Sequence, residues 1–212
     1  SVNSEFIEGL NYVRNNPVVI LILLSTLVNG LLGRSFIELL PAVSGLLLMG
    51  GASELAWLTA AAGTGAVLGG LLMSRQAAHV MGLYRLILVA LLGATLLLAT
   101  LNWLDALISL AVVVGLITFT TTIAGTGCQA LTQLLIDPNY HGRVMSLWSM
   151  TMMASPALGA ATNGALAEWA GFVTTFAVAS ALGVLAVLAL YARRRVVSDF
   201  APEAIATTSD SR

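Results

Sequence analysis

Apolar residues in this chain fall into long runs rather than alternating positions. Six mostly apolar windows stand out, at about 17–41, 54–74, 83–101, 106–136, 144–166 and 172–192. A helix of about 20 such residues crosses the hydrocarbon core of a bilayer. The runs are too long for strands and keep no period of two, so the pattern predicts an all-α membrane protein with six transmembrane helices. Before them, Phe6, Ile7, Leu10 and Val13 recur at helical spacing, with Glu5, Glu8 and Arg14 elsewhere. That predicts a short amphipathic helix lying on the membrane and ended by Asn16-Pro17. The last stretch is small and polar, which predicts disorder. The expected organisation is a cytoplasmic lead-in helix at 1–16, a six-helix domain at 17–192 and a cytoplasmic tail at 193–212.

Composition agrees with lipid as the solvent. Only 9% of the residues are charged and 58% are hydrophobic, against about 25% charged in an ordinary soluble domain. A surface in water needs more charge than this chain has. The single cysteine, Cys128, excludes an internal disulfide. His79 and His141 lie far apart, so no zinc-ligand spacing exists. The chain starts at Ser1 without an initiator Met, which suggests a processed, trimmed or fragmentary sequence. Its first residues lack the basic-then-apolar order of a signal peptide.

The positive charges are all arginine, and their positions orient the bundle. Arg14 precedes the first window, Arg75 and Arg85 flank the second turn, Arg143 precedes the fifth window, and Arg193, Arg194 and Arg195 follow the sixth. These places alternate onto one side, while Glu54, Asp105 and Glu168 fall on the other. Arginine-rich links stay in the cytoplasm, so both termini are expected there.

The residues needed for catalysis are not assembled. Both histidines fall in expected cytoplasmic turns, Asp105 and Asp137 sit at window ends, and no GxSxG, P-loop or dinucleotide fingerprint occurs. No enzyme, cofactor, metal or nucleic-acid partner is expected. Polar groups inside the windows point elsewhere. Arg34 and Glu38 are the ionisable residues embedded in a window, and such residues suggest function. Arg34 lies roughly 25 Å along the helix from Pro17, in the outer part of the bilayer. Spaced by four, the two side chains share a helix face. Gly30 and Gly33 loosen the helix before them, and Pro41 ends or bends it after. Two readings stay open: a pair that anchors the helix end at the interface, or a pair on a water-filled pathway where Glu38 takes up a proton or meets a cation. Asn29 adds a polar group about a turn earlier.

The fourth window carries Thr118, Thr120, Thr121, Thr122, Thr126, Gln129, Thr132 and Gln133. A face of Thr122, Thr126, Gln129 and Gln133 should meet protein or water, as helix-to-helix glue or as cavity lining. Ser149, Met152, Met153 and Asn163 of the fifth window are candidates for the same wall. Small residues such as Gly63, Gly65, Gly69, Gly70, Gly125, Gly127, Gly159 and Gly164 let helices approach closely.

Four stretches carry a resemblance to the major facilitator superfamily. "DPNYHGRVMSLWSM" (137–150) resembles the cytoplasmic link between helices ten and eleven of its drug- and siderophore-exporting branch. "SPALGAATNGALAEWAG" (155–171) resembles the eleventh helix and the turn after it. "EGLNYVRNNP" (8–17) looks like the amphipathic lead-in to helix seven, and "GGLLMSRQAAHVMGLYR" (69–85) like the Gly-rich loop between helices eight and nine. Two positions depart: Ser74 stands where that loop often has an aspartate, and His141 where the link commonly has arginine.

The resemblance implies half of a twelve-helix transporter, built as two inverted three-helix repeats, with its substrate site between the halves. The implied partners are the bilayer, an N-terminal six-helix half or a second copy, a small-molecule substrate and protons. It implies alternating-access, proton-coupled export across a bacterial cytoplasmic (inner) membrane. Asn29, Arg34, Glu38, Thr122 and Gln129 would line the pathway, and Arg75, Arg85 and Arg143 would belong to cytoplasmic gating loops. A membrane scaffold or sensor domain is the competing expectation. Half of an ATP-driven exporter is a third, for which the nucleotide-binding motif is missing.

Overall fold

The computed structural model describes residues 11–47, 51–76, 79–104, 106–137 and 140–198. The first part of the expected lead-in, and the tail from 199 on, lie outside the described residues. Every described element is helical: α1 (Pro17–Val28), a π-helical turn (Asn29–Arg34), α2 (Ser35–Glu38), α3 (Leu40–Leu47), α4 (Ala52–Ser74), α5 (Val80–Thr100), a 3-10 turn (Leu101–Trp103), α6 (Leu107–Leu135), α7 (His141–Ala170) and α8 (Phe172–Ala192). Among the described residues, five segments are long and apolar enough to cross a membrane: Pro17–Glu38, Ala52–Ser74, Val80–Trp103, Leu107–Leu135 and Phe172–Ala192. They coincide with five of the six expected windows. The remaining window lies in α7, which is long enough at 30 residues but carries too many Ser, Thr, Gly and Asn residues to stand with the five. Of the expected tail at 193–212, residues 193–198 are described. Residues 194–198 are helical, and Val197 is buried against the core.

Local chemistry sets the helix ends. Asn16 accepts from the Val19 N–H at 3.4 Å, and Pro17 fills the first helical position, where its missing N–H costs nothing. At α4 the Gly51 N–H donates to Glu54 Oε2 at 2.7 Å. Between α7 and α8 the chain turns at Gly171, whose φ of 84° strains any residue with a Cβ.

Two apolar clusters show how the helices run. One joins Ile22 of α1, Tyr84 and Ile87 of α5, Cys128 and Leu131 of α6, and Val187 and Leu190 of α8. The other joins Phe36, Leu58 of α4, Leu98 of α5, Leu110 and Val114 of α6, and Phe176 of α8. The starts of α1 and α5 therefore lie beside the ends of α6 and α8. The start of α7 is at this end too, with Val144 packed beside Val19 and Ile136. The arginines assigned to one side by sequence fall in the links and helix ends there.

Helix α6 is the hub, and three consecutive threonines show why. Thr120 faces Gly93 of α5, Thr121 faces Gly33 of the π turn, and Thr122 faces Gly69 of α4. Gly65 packs on the Gly115 backbone, with no room for a side chain between α4 and α6. Close backbone approach of this kind holds helices together where lipid removes the hydrophobic drive.

Candidate functional site

The first membrane-crossing segment is broken at Asn29–Arg34. There the Ser35 N–H, which an α-helix would give to Leu31 O, goes to Gly30 O five residues back. The Leu31 carbonyl takes side-chain donors instead: Ser35 Oγ at 2.6 Å and Asn163 Nδ2, from α7, at 3.3 Å. The Asn163 amide also donates to Ser35 Oγ at 3.1 Å. On the other flank, Asn29 Nδ2 donates to Thr121 O of α6 at 3.1 Å. The π turn is thus held from both sides by amide side chains. Single π turns inside α-helices are frequent at functional sites.

Helix α7 lies along the whole broken segment, in the same direction. Trp148 Nε1 donates to Thr26 Oγ1 at 3.1 Å. Ser155 sits against Gly30, Gly159 against Leu31, and Gly164 faces Leu39. The glycines are required here because a Cβ on Gly30 or Gly159 would meet the facing chain. Asn29 Oδ1 and Ser155 Oγ are both buried with no hydrogen-bond partner among the described residues. Such groups cost free energy, and they cluster at the break.

Just beyond the π turn, a groove of about 590 Å³ opens between the broken segment and α7. Its walls are Arg34 and Glu38 on one side and Met152, Met153, Pro156, Ala157 and Ala160 on the other. Arg34 and Glu38 are both exposed. No ion pair joins them among the described residues, so both charges face the groove. Pro156 cannot donate a backbone N–H within α7, which adds to the irregular geometry. A second, larger groove of about 820 Å³ between α4 and α6 is lined by Trp57, Leu68, Ile108, Phe119 and other residues without charge.

The sequence-predicted residues divide accordingly. Arg34 and Glu38 share the charged groove with Met152 and Met153. Asn29 is fully buried one turn away and serves the π turn. Thr122 lies against α4, outside the groove, and its carbonyl accepts from Thr126 Oγ1 at 2.7 Å. Gln129 is half-buried further along α6, and neither it nor Thr122 lines the groove. Asn163 bonds the π turn rather than lining the cavity, and Ser149 is exposed. At the arginine-bearing end, Tyr12 stacks on Tyr140 with centroids 4.4 Å apart, and the Arg143 guanidinium lies 5.7 Å from the Tyr140 ring centre. Arg75 and Arg85 are exposed on either side of the α4–α5 turn. Ser155 and Thr121 were not singled out as site residues. The Ser-Pro step at 155–156, inside an apolar helix, is the signal that points to the first.

Apolar helices long enough to cross a membrane, packed around α6 with one of them interrupted by a π turn, fit an integral membrane protein. A sequence profile for major facilitator proteins described as transmembrane secretion effectors matches residues 1–208. The chain belongs to that family, whose members are generally transporters rather than enzymes. Neither a search of curated proteins nor one of solved structures found a match.

Proposed function

We propose that this chain is the C-terminal six-helix half of a secondary active exporter of small amphipathic molecules, of the drug- and siderophore-exporting kind. The observation that carries the reading is the groove in which Arg34 and Glu38 both face α7, directly beyond the π turn. In this reading α7 also spans the membrane, as the fifth of six spans in chain order, because it runs beside the first membrane-crossing segment from Val19 to Leu39. Two three-helix units of opposite direction then follow, with both termini in the cytoplasm. The groove becomes one wall of a cavity completed by an N-terminal half or a second copy. Glu38 is the carboxylate that exchanges a proton for substrate during alternating access, and the protein does no covalent chemistry.

The test is export by the full-length protein in inverted bacterial membrane vesicles, with and without a proton gradient. The reading expects gradient-dependent accumulation of an amphipathic dye, and weakened pH dependence in Glu38→Gln. Accumulation indifferent to the gradient would remove proton coupling, and absence of any movement would favour a scaffold or sensor.

A further inference from the structure

The groove has a more specific chemistry than a path for apolar molecules. It presents a guanidinium and a carboxylate on one helix face, four residues apart, opposite a wall of two methionines, a proline and two alanines. Residues so spaced carry their Cβ atoms about 5–6 Å apart. With both side chains exposed and not paired to each other, each charge is available to a bound molecule. In a groove walled on one side by apolar side chains, a ligand with one charge would satisfy one group and leave the other poorly solvated. A ligand with both charges would satisfy both. The methionine side chains are flexible and polarizable, and adapt to varied apolar shapes.

We infer that this groove binds zwitterionic amphiphiles: molecules with an anionic and a cationic group a few bonds apart at one end and an apolar body at the other. The anion meets Arg34, the cation meets Glu38, and the body lies on Met152, Met153 and Ala157. A guanidinium binds carboxylate or phosphate through two parallel N–H donors, so either acid suits the anionic end. This rests on reading the groove as a binding surface of the transport path, and it adds the ligand class.

Three probes with one octyl chain test it on the full-length protein in lipid nanodiscs: an N-octyl γ-amino acid, octylammonium and octanoate. Wild-type protein should bind the zwitterion roughly fivefold or more tightly than either singly charged probe, the scale of an exposed ion pair. Arg34→Gln should erase the preference over octylammonium, and Glu38→Gln the preference over octanoate. The double exchange Arg34→Glu with Glu38→Arg should keep the preference for the zwitterion, which guards against loss by misfolding. Equal binding of all three probes, or unchanged ordering in both single variants, overturns the inference. Gradient-driven export of octylammonium without preference for the zwitterion would refute the ligand class while leaving the exporter reading intact. Zwitterion binding without export of any probe would do the reverse.

Discussion

The side-chain amide of Asn163 donates to the carbonyl of Leu31, 132 residues earlier, at the point where the first membrane-crossing segment abandons α-helical bonding. It is the second donor to that carbonyl, beside Ser35 Oγ at 2.6 Å, and it ties α7 to the π turn. Asn163→Leu should therefore lower thermal stability by about 0.5–1.5 kcal/mol, the net worth of a lost hydrogen bond, since Ser35 Oγ still satisfies the Leu31 carbonyl. Hydrogen exchange should rise in the 30–36 segment first. Global loss with no local signature would mean that Asn163 acts through general packing.

Gly30 and Ser155 form a coupled pair. A Cβ at Gly30 would collide with the Ser155 side chain, so Gly30→Ala should cost about 1–3 kcal/mol. Ser155→Gly makes the room, and the double variant should recover at least about 1 kcal/mol in a thermal-melt cycle. Ser155→Ala alone should be neutral or stabilising, since it removes a buried hydroxyl with no partner among the described residues.

The α4–α6 contact predicts a contrast between two nearby glycines. Gly65→Ala drives a methyl into the Gly115 backbone, which cannot swing aside, and should destabilise by about 1–3 kcal/mol. Gly63→Ala points into open space and should be neutral or gain up to about 1 kcal/mol of helix propensity. Melting temperatures of both variants in the same detergent test this directly.

Trp148 reports on the junction between α7 and the first membrane-crossing segment. Thr26→Val removes the acceptor at 3.1 Å and leaves a buried indole N–H unpaired. The expected result is a blue-shifted tryptophan emission and a loss of about 1–2 kcal/mol. Trp148→Phe should abolish the shift.

The membrane-crossing segments were legible because they depend on a coarse property, an apolar run about as long as the bilayer is thick. Helix α7 was legible as an apolar window at 144–166, but its glycines, serines and threonines serve packing on the first segment and lower its apolarity, so it does not stand with the five most apolar segments. Gly30, Gly33 and Pro41 signalled irregularity there, but a π turn changes bonding by one residue without changing composition. Its partners, Asn163 and Thr121, come from distant parts of the chain, and no local pattern announces them. Helical spacing on α6 groups Thr122 with Thr126, Gln129 and Gln133, and the resemblance puts it on the pathway with Asn29. Spacing fixes which residues share a face, not which helix covers that face, and α4 covers Thr122. Arg34 and Glu38 were readable because charge is rare in such a segment, and rarity carries information.

If the groove beside Arg34 and Glu38 is the transport path, a bulky group fixed on its wall blocks export. Ala157 is exposed on its wall, and Cys128 is fully buried, so labelling is expected at the introduced cysteine alone. The decisive measurement is export by full-length Ala157→Cys protein before and after labelling with a bulky, membrane-impermeant maleimide. The account predicts that labelling stops export and that bound amphipathic substrate slows the labelling. Complete modification of this cysteine with export unchanged would contradict it.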